Sequence, residues 1–440
     1  SFIVSNQDFD IYLNDAFIKK VGYTAPVEVK PNTTSFIPTY IVFEPKELTK
    51  IGIENAILFT NKENWKDFIP YKNNIFIIDF LLLKNWIVYL QRLDGLNQII
   101  IHNLKTNDHH SIEFEEKAYD LSLFNQYEYD TDWIRFSFSS PITPRSIFDY
   151  NCKTQEKILK KVQEIPSGFD PDSYACDRFF CRSHDGAEVP VTVFYKKETK
   201  LDGSSPLLLY GYGSYGITIP DSFSSNRFSL IDRGFVYAIA HIRGGREKGQ
   251  EWYEQGKLFN KKNTFLDFIA CAETLCEKKY TSKKKIIAQG GSAGGLLMGY
   301  IANERPDLFL GIIAQVPFVD ICNTMLDEDL PLTVTEIPEW GDLKNSKEAF
   351  QYIKSYSPYD NVKKQEYPHM LITGGVTDPR VTYWEMTKWT AKIRDYKTDN
   401  NLLLLKMNMD AGHSGASGRY DYLKEIALDY IFCLKIINFK

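Results

Sequence analysis

Ile286-Ile287-Ala288-Gln289-Gly290-Gly291-Ser292-Ala293-Gly294-Gly295-Leu296-Leu297-Met298 is an apolar run, a glycine-rich turn carrying G-x-S-x-G, and a helix-forming run. That order of parts reads as a nucleophile elbow, a strand–turn–helix unit that raises a serine hydroxyl above a sheet. Small residues at 290, 291, 293, 294 and 295 let the chain turn sharply, so that Ser292 projects and the Ala293 amide faces a developing oxyanion. For the motif alone, two readings compete: a turn that only packs tightly, and a phosphate site at a helix N-terminus.

The surroundings favour the elbow. From about residue 170, short apolar runs of buried-strand type (207–210, 236–241, 286–288, 312–316, 370–373, 402–407) alternate with helical patterns at 265–276, 386–393 and 422–434. This predicts an α/β domain with a mostly parallel sheet covered on both faces. An α/β-hydrolase triad follows in chain order Ser, Asp or Glu, His, each beyond the C-terminal end of a strand. Asp378 follows the run at 370–373, and His413, the sole histidine after that acid, follows the run at 402–407. A serine hydroxyl is a weak nucleophile until an imidazole accepts its proton, and the imidazole needs a carboxylate to hold its tautomer. Taken singly, Asp378 reads equally as an Asx-turn residue before Pro379 and His413 as a surface histidine. Asp410 competes for the acid role but lies only three residues from His413. No HGGG element is present, so a second oxyanion donor must come from elsewhere. Tyr212, in Tyr210-Gly211-Tyr212-Gly213-Ser214-Tyr215-Gly216 after the run at 207–210, is the candidate, and the motif reads equally as an aromatic-glycine turn packed on the core.

The first 150 residues have a different period. Short β runs at 2–4, 35–43, 56–60, 75–82, 86–90, 98–102 and 133–138 are separated by turns, with Asp94-Gly95 and Asn107-Asp108 as turn dipeptides. Tyr40-Ile41-Val42-Phe43, Trp86-Ile87-Val88-Tyr89 and Trp133-Ile134-Arg135-Phe136 share an aromatic-Ile-x-aromatic core, spaced by 46 and then 47 residues. That period suits a four-stranded propeller blade and gives about three blades, fewer than the four to eight of a closed ring. The expected division is a partial β-propeller over 1–160 and an α/β-hydrolase catalytic domain over 161–440.

Bulk properties exclude several functions. A composition 43% hydrophobic and 25% charged is that of a folded chain. Net charge −5 leaves no basic footprint for nucleic acid, and Lys261-Lys262 and Lys283 to Lys285 read as solvated surface. Seven cysteines fit no disulfide framework and no CxxC metal pair, so most are expected to be buried free thiols in a reducing compartment. No apolar stretch reaches the roughly 18–20 residues of a membrane span, and the expected location is the cytoplasm. No metal-ligand cluster, HExxH or phosphate loop with a lysine appears, so no cofactor is implied. The chain begins Ser-Phe-Ile-Val inside a strand-like run, and a fragment is expected.

YGYGSYG (210–216), DRGFVYAIAHIRGG (232–245), NTFLDF (263–268), GGSAGG (290–295), AQVPFVD (314–320), SYSPYDNV (355–362) and TDPRV (377–381) together resemble the prolyl oligopeptidase family, and within it the oligopeptidase B branch. The likeness covers 150–440 and, more loosely, the β half, including Glu63-Asn64-Trp65. It implies a seven-bladed propeller capping an α/β-hydrolase domain, with the active site in the cavity between them admitting short peptides. It further implies that Ser292, Asp378 and His413 are the triad and that Tyr212 joins the Ala293 amide in the oxyanion hole. Arg380 matches a position that binds a substrate carbonyl, and Phe318 one that lines the primary pocket. Read bottom-up, Arg380 fits equally as an ion-pair partner and Phe318 as core.

The branch cleaves after Arg or Lys with a pair of glutamates. Glu336 matches the first; Pro338 stands at the second. A further acidic pair would fall at Pro220 and Ser222, with Asp221 between them. Basic preference is therefore expected to be weaker, or re-supplied in part by Asp221 and Glu339. The N-terminal arm and first blades are expected to be missing, with a complementary N-terminal fragment as a partner beside short peptide substrates. The competing functions are an esterase or aminopeptidase-like hydrolase on the same triad, and a catalytically silent binding protein.

Overall fold

The computed structural model describes residues 69–418 and 420–439 in full, and before them only the strands named below. The chain divides into two compact units: 1–140 with 144–164 and 247–251, and 141–143 with 165–246 and 252–440.

In the smaller unit a two-stranded sheet, β1 (Phe9–Leu13) and β2 (Ala16–Val21), precedes three antiparallel sheets of four strands. The first is β3 (Val27–Lys30), β4 (Thr39–Val42), β5 (Ala56–Thr60) and β6 (Trp65–Ile69). The second is β7 (Ile75–Leu82), β8 (Trp86–Leu93), β9 (Leu96–Asn103) and β10 (His109–Ser111). The third is β11 (Asp120–Leu123), β12 (Trp133–Ser139), β13 (Ser146–Asn151) and β14 (Lys157–Val162). The repeat found in the sequence has a structural meaning: Tyr40, Trp86 and Trp133 each lie in the second strand of a four-stranded sheet. One period is therefore one sheet. The Asp94-Gly95 turn between β8 and β9 takes positive φ at both residues (50° and 82°), the geometry that matches strand twist in a two-residue hairpin. The expected runs at 2–4 and 35–38 lie outside the described residues. Segment 247–251 belongs here as well, and the Glu247 carbonyl accepts the Gly95 amide at 2.7 Å.

The larger unit is built on one eight-stranded sheet in the order β15-β16-β18-β17-β19-β20-β21-β22. These are β15 (Tyr174–Arg182), β16 (Glu188–Lys196), β17 (Leu207–Tyr210), β18 (Val236–Ala240), β19 (Ile286–Gly291), β20 (Phe309–Gln315), β21 (His369–Gly375) and β22 (Leu403–Asn408). Pairing is antiparallel for β15–β16 and β16–β18 and parallel for the rest. The sequence reading foresaw the six parallel strands and omitted β15 and β16.

Side chains on a strand alternate between faces, and two buried clusters record the alternation. Leu207, Leu209, Val236, Ala238, Ile286, Ala288, Ile312 and Ala314 join one cluster; Leu208, Tyr237, Ile287, Ile313 and Leu371 join the other. Helices α1 (Lys262–Glu277), α2 (Ala293–Glu304) and α4 (Tyr383–Tyr396) cover the first face through Phe265, Leu296 and Trp389. Helix α5 (Asp421–Ile436) covers the second through Phe432, Cys433 and Ile436, and α3 (Thr333–Trp340) lies toward the first cluster through Trp340. Each large apolar side chain removed from water contributes about 1.5–3 kcal/mol, so both faces are needed to hold the central strands. From β17 the chain passes first to β18 on one side and then to β19 on the other. That reversal opens a crevice beyond the C-terminal ends of β17 and β19, where open α/β sheets bind ligands.

All seven cysteines are free, five buried and two half-buried. The lysine runs divide: Lys283 and Lys284 are exposed, but Lys261 is 1% exposed, against the reading of it as surface. Among the described residues no helix is long and apolar enough to cross a membrane.

Candidate active site

Ser292 sits between the end of β19 and the start of α2 with φ 56° and ψ −118°, a conformation that L-residues rarely adopt. Its surroundings hold it there. The Ser292 amide donates to the Gln315 carbonyl at 2.8 Å, and its carbonyl accepts the amides of Gly295 (2.8 Å) and Phe318 (3.1 Å). Helix α2 can approach the segment that follows β20 this closely because position 295 is glycine; a Cβ there would collide with Pro317. Ala293 is the first residue of α2, so the helix supplies its amide with no carbonyl.

The loops after β21 and β22 bring the other two residues to it. His413 Nε2 lies 3.1 Å from Ser292 Oγ, and His413 Nδ1 lies 2.7 Å from Asp378 Oδ2. The other Asp378 oxygen accepts the amides of Arg380 (2.8 Å) and Val381 (3.0 Å), and the residue is 5% exposed. Asp378 is thus both the Asx-turn residue and the partner of the imidazole. With Nδ1–H donated to Asp378, Nε2 is the acceptor for the serine proton. Asp410 is exposed, and the imidazole nitrogen it would have taken is already bonded to Asp378.

Tyr212 arrives from the end of β17 and lines the same cavity as Ser292. Burial, with Tyr210 and the carboxylates of Glu339 and Glu336 adding to it, pushes its hydroxyl up to about 12, so it stays a proton donor at neutral pH.

These residues open onto a cavity of about 770 Å³ within the larger unit. Phe318, Glu336 and Arg380 line it with Tyr215 and Trp340; the Trp340 ring lies 5.4 Å from Phe318 and 5.8 Å from Tyr215. Glu336 Oε2 accepts from Tyr215 Oη (2.7 Å) and Trp340 Nε1 (3.0 Å). Burial raises its carboxyl above the usual range, against those two bonds. Arg380 is exposed at this cavity.

Two expected acidic contributors are elsewhere. Asp221 does not line the cavity: it is 3% exposed, accepts from Thr192 Oγ1 at 3.0 Å and lies 3.3 Å from His241 Nε2. The expectation of Asp221 as a substrate carboxylate is corrected, because a buried partner pair already occupies it. Glu339 is 4% exposed and accepts the Tyr215 amide and the Tyr253 hydroxyl. Sequence reasoning missed three lining residues, Trp340, Tyr215 and Asp429. A Trp four residues after Glu336 on a helix was the available signal for the first. Among the described residues no group of three or more His, Cys, Asp or Glu is arranged to hold a metal.

Residues 221–440 match the prolyl oligopeptidase family, and residues 46–163 match the prolyl oligopeptidase N-terminal beta-propeller domain. The chain belongs to the prolyl oligopeptidase family. Within that family it is 41% identical over 377 residues to dipeptidyl aminopeptidase BI of Pseudoxanthomonas mexicana, covering 85% of this chain and 52% of that protein. It is 42% identical over 367 residues to protease 2 of Moraxella lacunata, covering 83% and 53%. Among solved structures, oligopeptidase B from Leishmania major superposes with a TM-score of 0.85 at 35% identity, over 96% of this chain and 60% of that one. Oligopeptidase B from Trypanosoma brucei with covalently bound antipain gives 0.85 at 38% identity, over 94% and 59%. The chain spans about half the length of these curated relatives.

Proposed function

We propose that the protein acts as a serine-type oligopeptidase, hydrolysing short peptides after Arg or Lys through a Ser292-His413-Asp378 triad. The observation that carries this is the unbroken relay from Asp378 through His413 to a serine in a left-handed turn, at 2.7 and 3.1 Å. In the first half-reaction Ser292 Oγ attacks the scissile carbonyl while His413 Nε2 takes its proton. The oxyanion is held by the Ala293 amide and the Tyr212 hydroxyl. His413 then gives the proton to the departing amine, leaving an acyl-enzyme. In the second half-reaction water repeats the sequence and frees Ser292.

The basic preference rests on Glu336, a half-buried carboxylate in a cavity walled by Phe318, Trp340 and Tyr215. Aromatic walls suit the methylene stem of Arg or Lys, and the carboxylate suits its charged end. With Asp221 and Glu339 otherwise engaged, Glu336 supplies this charge without the second carboxylate of the branch. Titration with a fluorophosphonate beside an arginyl-amide assay tests the reading: stoichiometric labelling of Ser292 and turnover are expected. An unlabelled, folded protein overturns it in favour of a silent binding protein.

A second reading, removal of dipeptides from a free N-terminus, draws on the name of the Pseudoxanthomonas mexicana relative. Comparing a dipeptidyl arginyl amide with its N-acylated form separates the two, since only an endopeptidase accepts both.

A further inference from the structure

Lys261 precedes α1 and is 1% exposed; burial lowers its amine to about 8, with the Glu339 charge opposing, so it is mostly protonated at neutral pH. Its ammonium donates to the Gly213 carbonyl at 2.6 Å and to Ser214 Oγ at 2.7 Å, and it lies 5.1 Å from the centre of the Trp340 ring. Burying an ammonium is unfavourable unless its protons are satisfied, so this arrangement requires the loop carbonyl as much as the loop requires the lysine. Both acceptors belong to the loop that presents Tyr212.

We propose that Lys261 is a positioning residue for the oxyanion hole: it fixes the Gly213 peptide, and through it aims the Tyr212 hydroxyl at Ser292. The proposal rests on the reading of Tyr212 as an oxyanion donor. Gly213 follows Tyr212 directly and adopts φ +74°, so the direction of its carbonyl is coupled to the backbone torsions beside Tyr212. Thr264 Oγ1 reaches the same carbonyl only at 3.4 Å, which leaves the short charge-assisted bond to Lys261 as the main restraint. Two residues on, the Tyr215 amide donates to the buried Glu339 carboxylate at 2.9 Å. The loop is therefore held at both ends by buried charges of opposite sign, neither of which lines the cavity. An oxyanion donor contributes in proportion to how well it is preplaced, and misplacement by about 1 Å costs up to about 10²-fold in rate.

The experiment is a double-mutant cycle on the intact protein with an arginyl-amide substrate. Tyr212→Phe alone is measured first and is expected to lower kcat by about 10²–10³. An unchanged kcat there removes Tyr212 from the oxyanion hole and defeats the underlying reading before any Lys261 variant is examined. Lys261→Met is then expected to lower kcat by roughly 10–10²-fold with KM within about twofold, and to weaken a peptide-aldehyde inhibitor in parallel. In the Tyr212→Phe background the same change is expected to cost almost nothing, because the group it aims is gone. Lys261→Gln, which keeps a neutral N–H donor, should lie between parent and Lys261→Met, and it carries the same cycle if the Met variant does not fold. Losses that add in the double variant, a change confined to KM, or an unchanged kcat would each overturn the proposal.

Discussion

Asp429, on α5, lines the same cavity as Glu336 and offers a test of how burial governs this site. Its carboxylate is 3% exposed, and one oxygen accepts from Gln315 Nε2 at 2.7 Å and Gln289 Nε2 at 3.3 Å. Burial, with the Glu425 charge adding to it, pushes its pKa from 3.8 up to about 7, against the Gln315 bond. A folded-state value above the unfolded one means that the native state binds this proton more tightly. Stability is therefore greatest below the unfolded value and falls as pH rises from about 4 to about 7, by about 1.4 kcal/mol per unit. Roughly three units give a penalty of about 4 kcal/mol at pH 8, of which about 3 kcal/mol accrues above pH 5. Asp429→Asn keeps an acceptor for both glutamines and removes the charge. The variant should exceed the parent in urea-unfolding free energy at pH 8, with an advantage about 3 kcal/mol smaller at pH 5. An advantage independent of pH, or a parent more stable at pH 8, would refute the reasoning and assign the carboxylate a partner in the cavity.

Three further outcomes are expected. Ser292→Ala and His413→Ala should each abolish nearly all turnover, and the double variant should be no worse than either, as single-turnover rates will reveal. Glu336→Gln should cost more on arginyl than on phenylalanyl amides; equal losses on both would remove the carboxylate from the pocket. Gly295→Ala should destabilise by about 1–3 kcal/mol and lower kcat, since the new methyl must displace Pro317 or α2 and so shift Ser292. Unchanged melting and activity would show that the elbow is looser than described.

The Ser292-His413-Asp378 arrangement was legible because its three residues obey a rule that is local in sequence: each follows the C-terminal end of an apolar strand. The β repeat was legible for a similar reason, since Tyr40, Trp86 and Trp133 recur at the same strand of each sheet. Asp221 failed because an acidic residue in a loop does not show which partner it will meet, and Thr192 on β16 and His241 just after β18 lie 20 or more residues away in sequence. Lys261 and Asp429 failed differently. A charged residue reads as surface by default, and burial of either depends on oxygens and amides assembled only in the folded unit. Strands β15 and β16 were overlooked because polar and aromatic residues interrupt the apolar run, notably along β15 (Tyr174-Ala175-Cys176-Asp177-Arg178).

The grouping of residues 247–251 with the smaller unit bears on how the gene can be rearranged. Those residues are encoded deep within the stretch that otherwise builds the eight-stranded sheet. A recombination event at residue 164 that exchanged the β half for a homologous one would leave the Gly95 hairpin facing a Glu247 segment inherited from a different parent. An exchange that carries residues 247–251 along with the β half keeps both partners of that hydrogen bond from one parent.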